Sequence, residues 1–216
     1  MGIVSLARLL ILPIVLFCSL CSTEVAISAR FGDVEASVYA LGSWPHDRDI
    51  FNQGTTVPGS VQQGFGVGFK VGVFPAMLYR AVGLELDSNI HNSRLSFSNI
   101  ANGQSNEIGR SDLLVFRTTI NLVFRYPGET VRPYVGIGVG WSTGMLLNPN
   151  IAGRDDTDFD SARALGYQYL GGVEVLLTRK VFLFAEYRYF SANYHWRSLA
   201  VDFRDHNGLL GVGLRF

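Results

Sequence analysis

Hydrophobic and polar positions alternate along most of this chain with a period of two. Phe65, Val67, Phe69, Val71 and Val73 alternate with Gly64, Gly66, Gly68, Lys70 and Gly72. Val135, Ile137, Val139 and Trp141 alternate with Tyr134, Gly136, Gly138 and Gly140, and Leu210, Val212, Leu214 and Phe216 with Gly211, Gly213 and Arg215. Strict alternation is the mark of a strand with two unlike faces. The pattern predicts eight strands, over about 32–41, 64–74, 81–90, 111–126, 132–144, 163–177, 181–190 and 207–216.

The predicted connections alternate in length. Those at 75–80, 127–131 and 178–180 are short. Those at 42–63, 91–110, 145–162 and 191–206 are long. An antiparallel up-and-down meander collects the short turns at one end and the long loops at the other, and bacterial outer-membrane barrels show this asymmetry. Strands of about ten residues suffice to cross a bilayer when tilted. Eight strands also build soluble barrels of the lipocalin kind. Here, however, the less apolar face is largely glycine with sparse charges. Glycine makes a poor water-facing strand surface but suits a crowded bore. The other face carries Phe, Val, Leu, Ile, Tyr and Trp along whole strands, as contact with hydrocarbon requires. The expected fold class is all-β, an eight-stranded antiparallel up-and-down transmembrane β-barrel.

Strand parity then sorts the charges. Glu35, Lys70, Glu85, Asp87, Arg117, Arg125, Glu174, Glu186, Arg188 and Arg215 fall on the glycine-rich face. They are five acids and five bases, and a closed lumen needs its charges compensated. They are the candidate lumen ion-pair network. Trp44, Trp141, Tyr187, Tyr189, Tyr194 and Trp196 fall towards the long-loop ends, and Tyr79, Tyr126 and Phe216 towards the short turns. Two aromatic bands fit the two membrane–water interfaces.

Composition adds limits. The chain has 216 residues, with 18 Lys and Arg against 18 Asp and Glu. The zero balance gives no general attraction to nucleic acid, which is not an expected partner. Residues 1–28 differ from the rest. Arg8 precedes an apolar run over 9–20, too short for a spanning helix, and small residues follow, which reads as a secretory signal peptide. Cleavage after Ser28 fits Ala26-Ile27-Ser28, while sites after Cys21 or Thr23 stay open. The expected organisation is a cleaved leader over 1–28 and one barrel domain over 29–216. Both cysteines, Cys18 and Cys21, lie in the leader, so no disulfide or thiol chemistry is expected in the exported domain.

The chain resembles the small outer-membrane β-barrel proteins of Gram-negative bacteria, the OmpA-like and opacity-type group. The resemblance is carried by Arg132-Pro133-Tyr134-Val135-Gly136-Ile137-Gly138-Val139-Gly140, by Gly171-Gly172-Val173-Glu174, by Ala185-Glu186-Tyr187-Arg188-Tyr189, and by the end Gly211-Val212-Gly213-Leu214-Arg215-Phe216. It implies a place in the outer membrane among lipid and lipopolysaccharide, with the loops free to meet an extracellular ligand. It also implies that the barrel assembly machinery reads the last strand as a signal through Gly211, Leu214 and Phe216. Leu209 departs from the family's ending, where a polar residue is usual. Larger members carry a peptidoglycan-binding domain, and none is expected here.

Candidate chemistry is sparse. His91-Asn92-Ser93 has the His-x-Ser spacing of lipid A deacylases, but parity turns both side chains inward, and Phe190 stands where that group would have a histidine. His195, Ser198 and Asp205 share one predicted loop, where three such residues read more simply as surface positions. Asp156, Asp158 and Asp160 resemble a calcium loop, but Ser161 replaces the required glycine and Tyr167 the bidentate acid. His46 and His206 have no metal spacing. No catalytic residue, cofactor or metal is expected. The reading is a structural or surface-interaction barrel with a packed polar lumen. A lipid A-modifying acyl hydrolase and a narrow porin-like channel are the alternatives.

Overall fold

The structure is a computed structural model that describes residues 32–45, 48–52, 55–101, 104–151, 159–195 and 199–216. The leader expected over 1–28 lies outside them, as do His46, Trp196, Ser198, Asp156 and Asp158. Ten strand segments follow in order: β1 (Gly32–Pro45), β2 (Arg48–Asn52), β3 (Thr55–Gln62), β4 (Gly64–Pro75), β5 (Val82–Ala101), β6 (Gln104–Arg125), β7 (Val131–Ile151), β8 (Phe159–Leu176), β9 (Val181–His195) and β10 (Leu199–Arg215).

They make eight staves. β1 pairs with β10, and β2 continues that pairing at Asn52 and Phe51. β4 pairs with β5, and β3 continues it from Gln62 to Gly59. The hairpin β2–β3 thus prolongs the β1–β4 hairpin. All neighbours are antiparallel, and the β1–β10 pairing closes the ring. Phe216 seals the seam, since its N–H donates to the Val34 carbonyl at 2.8 Å. Across its middle the ring pairs each stave with a neighbour on both sides, as a backbone surrounded by lipid requires.

The register fixes the shape. Starting at Trp44 on β1, successive partners are His206, Tyr189, Tyr169, Ile137, Leu122, Leu84 and Val73. The circuit returns to β1 at Val34, ten residues from where it left. Eight strands with that stagger tilt by roughly 40° and leave a bore only wide enough for side chains.

The predicted long loops at 42–63, 91–110, 145–162 and 191–206 are largely strand. β5 runs to Ala101, β6 starts at Gln104, β7 reaches Ile151, and β10 starts at Leu199. These extensions stand beyond the apolar belt. Ladder hydrogen bonds hold them. Register shifts at Phe97/Ser98 and Arg110/Asp112 bend the sheet there. At the opposite end the turns are tight. One holds Tyr79 and Arg80 at φ of 54° and 57°, a left-handed conformation uncommon outside glycine. In another, Thr178 Oγ1 accepts from the backbone N–H groups of Lys180 and Val181.

Outside, the barrel presents Phe65, Val71, Leu84, Ile120, Val135, Ile137, Val139, Trp141 and Leu165, all exposed. In a water-soluble protein so continuous an apolar surface would drive aggregation, whereas in hydrocarbon it is the required surface. Inside, glycines make room for rings. A Cβ at Gly166 would come within 2.4 Å of the Phe190 ring, one at Gly211 within 2.4 Å of Phe184, and one at Gly213 within 2.2 Å of Phe182.

Candidate functional site

The bore is filled by three tiers of charged and polar side chains. At the short-turn end Arg125 is the hub. Its Nη1 donates to Glu35 Oε1 at 2.7 Å and to Glu174 Oε2 at 3.1 Å, and its Nη2 to Asp33 Oδ2 at 3.4 Å. The guanidinium lies 3.7 Å from the centre of the Phe74 ring, a cation–π contact in a dry setting. Arg80, Arg132 and Arg215 also reach Asp33, at 3.0, 3.7 and 3.6 Å.

The middle tier is enclosed. Arg188 forks onto Asp87 with two parallel bonds of 3.0 Å, and its Nε and Nη2 also reach Glu186 Oε1 at 3.0 and 2.6 Å. Lys70 Nζ pairs with Glu186 and lies 3.7 Å from Glu85 Oε2. Bidentate arginine–carboxylate bonds are among the strongest a protein makes. Three carboxylates here face two cations, and neutral donors supply the balance. The Tyr39 hydroxyl donates to Asp87 at 2.9 Å, the Tyr134 hydroxyl to Glu186 at 2.7 Å, and Asn121 Nδ2 to Glu85 at 2.9 Å. Gln168 Nε2 then donates to Asn121 Oδ1 at 2.6 Å. A void lined by Glu35, Lys70, Glu85, Tyr134 and Glu174 leaves about 10 Å³ for the centre of a water molecule. That is close to the smallest space one water occupies.

Towards the long-strand end, Asp205 joins Arg117 Nη2 at 3.0 Å and the Ser43 hydroxyl at 2.7 Å. His91 Nε2 stands 3.6 Å from the same carboxylate. The Arg117 guanidinium lies over the Phe190 ring at 3.7 Å.

The ten charges assigned inward from parity therefore stand as follows. Lys70, Asp87, Arg117, Arg125, Glu35, Glu174, Glu186 and Arg188 are buried in the bore, and Glu85 and Arg215 are half-buried at its wall. Arg117 meets Asp205, which was not in the set. The sequence places Asp205 in a surface loop, but it lies on β10 and is fully buried. The sequence places Tyr194 in the aromatic band at the long-loop ends. It too is buried, with its hydroxyl against Ser142 and its ring edge-on to Phe203. Both belong to staves that run on past the apolar belt, so parity still turns them inward. Asp33, Arg132, Tyr39, Tyr134, Asn121 and Gln168 lie outside that set of ten yet join the network, and the alternation that assigns Glu35 inward assigns Asp33 inward too.

His91 and Ser93 are buried on the inner face, and the Ser93 hydroxyl makes no hydrogen bond. An activated serine needs its base within hydrogen-bond reach, and that link is missing here. Among the described residues no cluster of His, Cys, Asp and Glu is placed to hold a metal ion. At the seam, Gly211 faces the Phe184 ring, Leu214 pairs with Ala36, and the backbone of Phe216 pairs with Val34.

A family model described as an outer membrane protein beta-barrel domain matches residues 14–216. Two similar solved structures are the outer membrane protein OprG from Pseudomonas aeruginosa and Neisserial surface protein A. The first has 16% identity and a TM-score of 0.62, covering 87% of this chain and 97% of that one. The second has 16% identity and a TM-score of 0.51, covering 86% and 99%. At that identity the likeness is one of fold. No curated protein matches the chain.

Proposed function

This chain belongs to the outer membrane protein beta-barrel domain family, and we propose on that premise that it is a structural and surface-interaction barrel rather than an enzyme or a pore. The observation that carries this reading is the middle tier. Arg188, Asp87, Glu186 and Lys70 meet across the bore with direct bonds, and the void beside them has room for about one water. A conducting path would need a continuous water column, and an eight-stranded bore filled with side chains does not hold one.

In this reading the leader over 1–28 is removed on export. The assembly machinery reads Gly211, Leu214 and Phe216 at the terminal strand. The strand extensions stand on the outer side, where they touch lipopolysaccharide and an extracellular ligand. The barrel is a rigid base, held by the ion-pair network of Glu35, Lys70, Glu85, Asp87, Arg117, Arg125, Glu174, Glu186, Arg188 and Arg215, and recognition belongs to the rim. Planar-bilayer recording tests the closed bore. Folded protein inserted from detergent is expected to give no discrete conductance steps. Reproducible single-channel steps would replace this reading with the channel reading.

A further inference from the structure

One side of the exterior differs from the rest. Across β1, β10, β9 and β8 the ladder aligns Trp44, His206, Tyr189 and Tyr169 as consecutive cross-strand partners. These side chains face outward, on the same side as Val38, Leu210 and Leu165. Tyr169 stacks on Tyr189 with an interplanar angle of 20°, and the Tyr189 and His206 rings meet at 5.2 Å. The Tyr187 hydroxyl shares a hydrogen bond with His206 Nδ1. Trp44 lies down along the wall, because Gly42 and Gly208 have no side chains. A Cβ at either would come within 2.9 or 3.1 Å of its ring.

Aliphatic side chains are all that hydrocarbon requires, and β4 and β7 supply Val67, Val71, Val135 and Val139. A row of hydroxyl- and nitrogen-bearing rings is costly in acyl chains unless it has polar company. Directly above His206 on the same face stands Arg204. Its side chain is 38% exposed and its Nη2 lies 3.1 Å from Asp202. Exposed Arg163 adds a second positive charge on β8. Flat rings suit the C–H faces of sugars, and an arginine fork beside an imidazole suits a phosphate.

We propose that this face of β8, β9, β10 and β1 seats the phosphorylated sugar headgroup of an outer-leaflet glycolipid, with Arg204 and His206 on the phosphate and Tyr189 and Trp44 against the sugar. The proposal rests on the outer-membrane reading above, with the strand extensions in the outer leaflet. Charge complementarity selects the occupant: Arg204 and Arg163 outnumber Asp202, so the rim of this face keeps a net positive charge and the headgroup is anionic.

The test uses the full folded chain in detergent and native mass spectrometry, with purified diphosphorylated lipid A, the same lipid after phosphatase treatment, and phosphatidylglycerol as probes. The wild-type barrel is expected to retain diphosphorylated lipid A and to lose most of that retention with the dephosphorylated form. The paired variant Arg204→Gln/His206→Gln should weaken retention about tenfold, the scale of one charge-assisted hydrogen bond. The variant Arg94→Gln, in an exposed ion pair with Asp112 on β5 and β6, should bind as wild type does. Equal retention by the paired variant, equal retention of the dephosphorylated lipid, or equal retention of phosphatidylglycerol overturns the proposal. So does a dimer with no lipid adduct, which would give the face to a second copy. Gel migration before and after boiling is read on the same samples. A chain that shows no shift on boiling contradicts the barrel reading itself. If the paired variant alone fails to shift, the wild-type comparison of the two lipid A forms decides the site.

Discussion

Replacing Arg188 by methionine should cost the barrel about 3–5 kcal/mol, the usual penalty for removing one partner of a buried ion pair. The side chain is 1% exposed and is bonded to both Asp87 and Glu186. Methionine keeps much of the volume but leaves Asp87 with only neutral donors, Tyr39 and Asn89. Glu186 keeps Lys70 and Tyr134. The larger part of the loss is therefore the stranded charge of Asp87. A urea titration of folded protein in vesicles, read by tryptophan fluorescence, should show the midpoint falling. The double replacement Arg188→Met/Asp87→Asn should recover much of the loss, because it removes the uncompensated ion as well as its partner. A double variant as unstable as the single one would mean that the site acts through packing rather than charge.

Substitution of Gly140 by valine should prevent the barrel from closing. Gly140 faces inward on β7, and a Cβ there would fall 2.0 Å from the Thr118 carbonyl oxygen and 2.5 Å from Thr119 Cα. Both belong to the paired strand β6, so neither can move without breaking the ladder. Overpacking of a filled core typically costs about 1–3 kcal/mol and more when backbone is in the way. The same exchange at Gly171 should be tolerated. It lies outward, and its added Cβ would meet only ordinary contacts at 3.8 and 3.9 Å. Refolding into detergent followed by gel migration with and without boiling separates the two. Gly140→Val should show no heat-sensitive band and Gly171→Val a normal one.

The eight staves could be read from the chain because lipid imposes a rule on every second residue. Val135, Ile137, Val139 and Trp141 obey it, and so do Leu210, Val212 and Leu214. Where the staves leave the hydrocarbon the rule lapses. β5 carries Asn92 and Arg94 at its outward positions, so its continuation to Ala101 reads as loop. Backbone pairing holds such a stretch, and pairing leaves little trace in side-chain pattern. Parity also assigns a face to each charge but names no partner. Lys70 and Glu186 are 116 residues apart, and Arg117 and Asp205 are 88. They meet only because the ring closes with a stagger of ten. Asp205 is hidden for a further reason: its neighbour Phe203 is apolar but inward, so the outer side that carries Leu210 and Val212 lower on β10 carries Asp202 and Arg204 here.

Acyl chains contact one face of every stave while the other face stays packed. Nitroxide labels on single cysteines in reconstituted vesicles test it most directly. A label at Ile137 should collide readily with oxygen dissolved in the bilayer and rarely with a water-soluble nickel chelate. A label at Ser37, which is 5% exposed and lines the small void, should be immobile and shielded from both. Chelate access at Ile137 together with oxygen access at Ser37 would turn the barrel inside out and contradict the account.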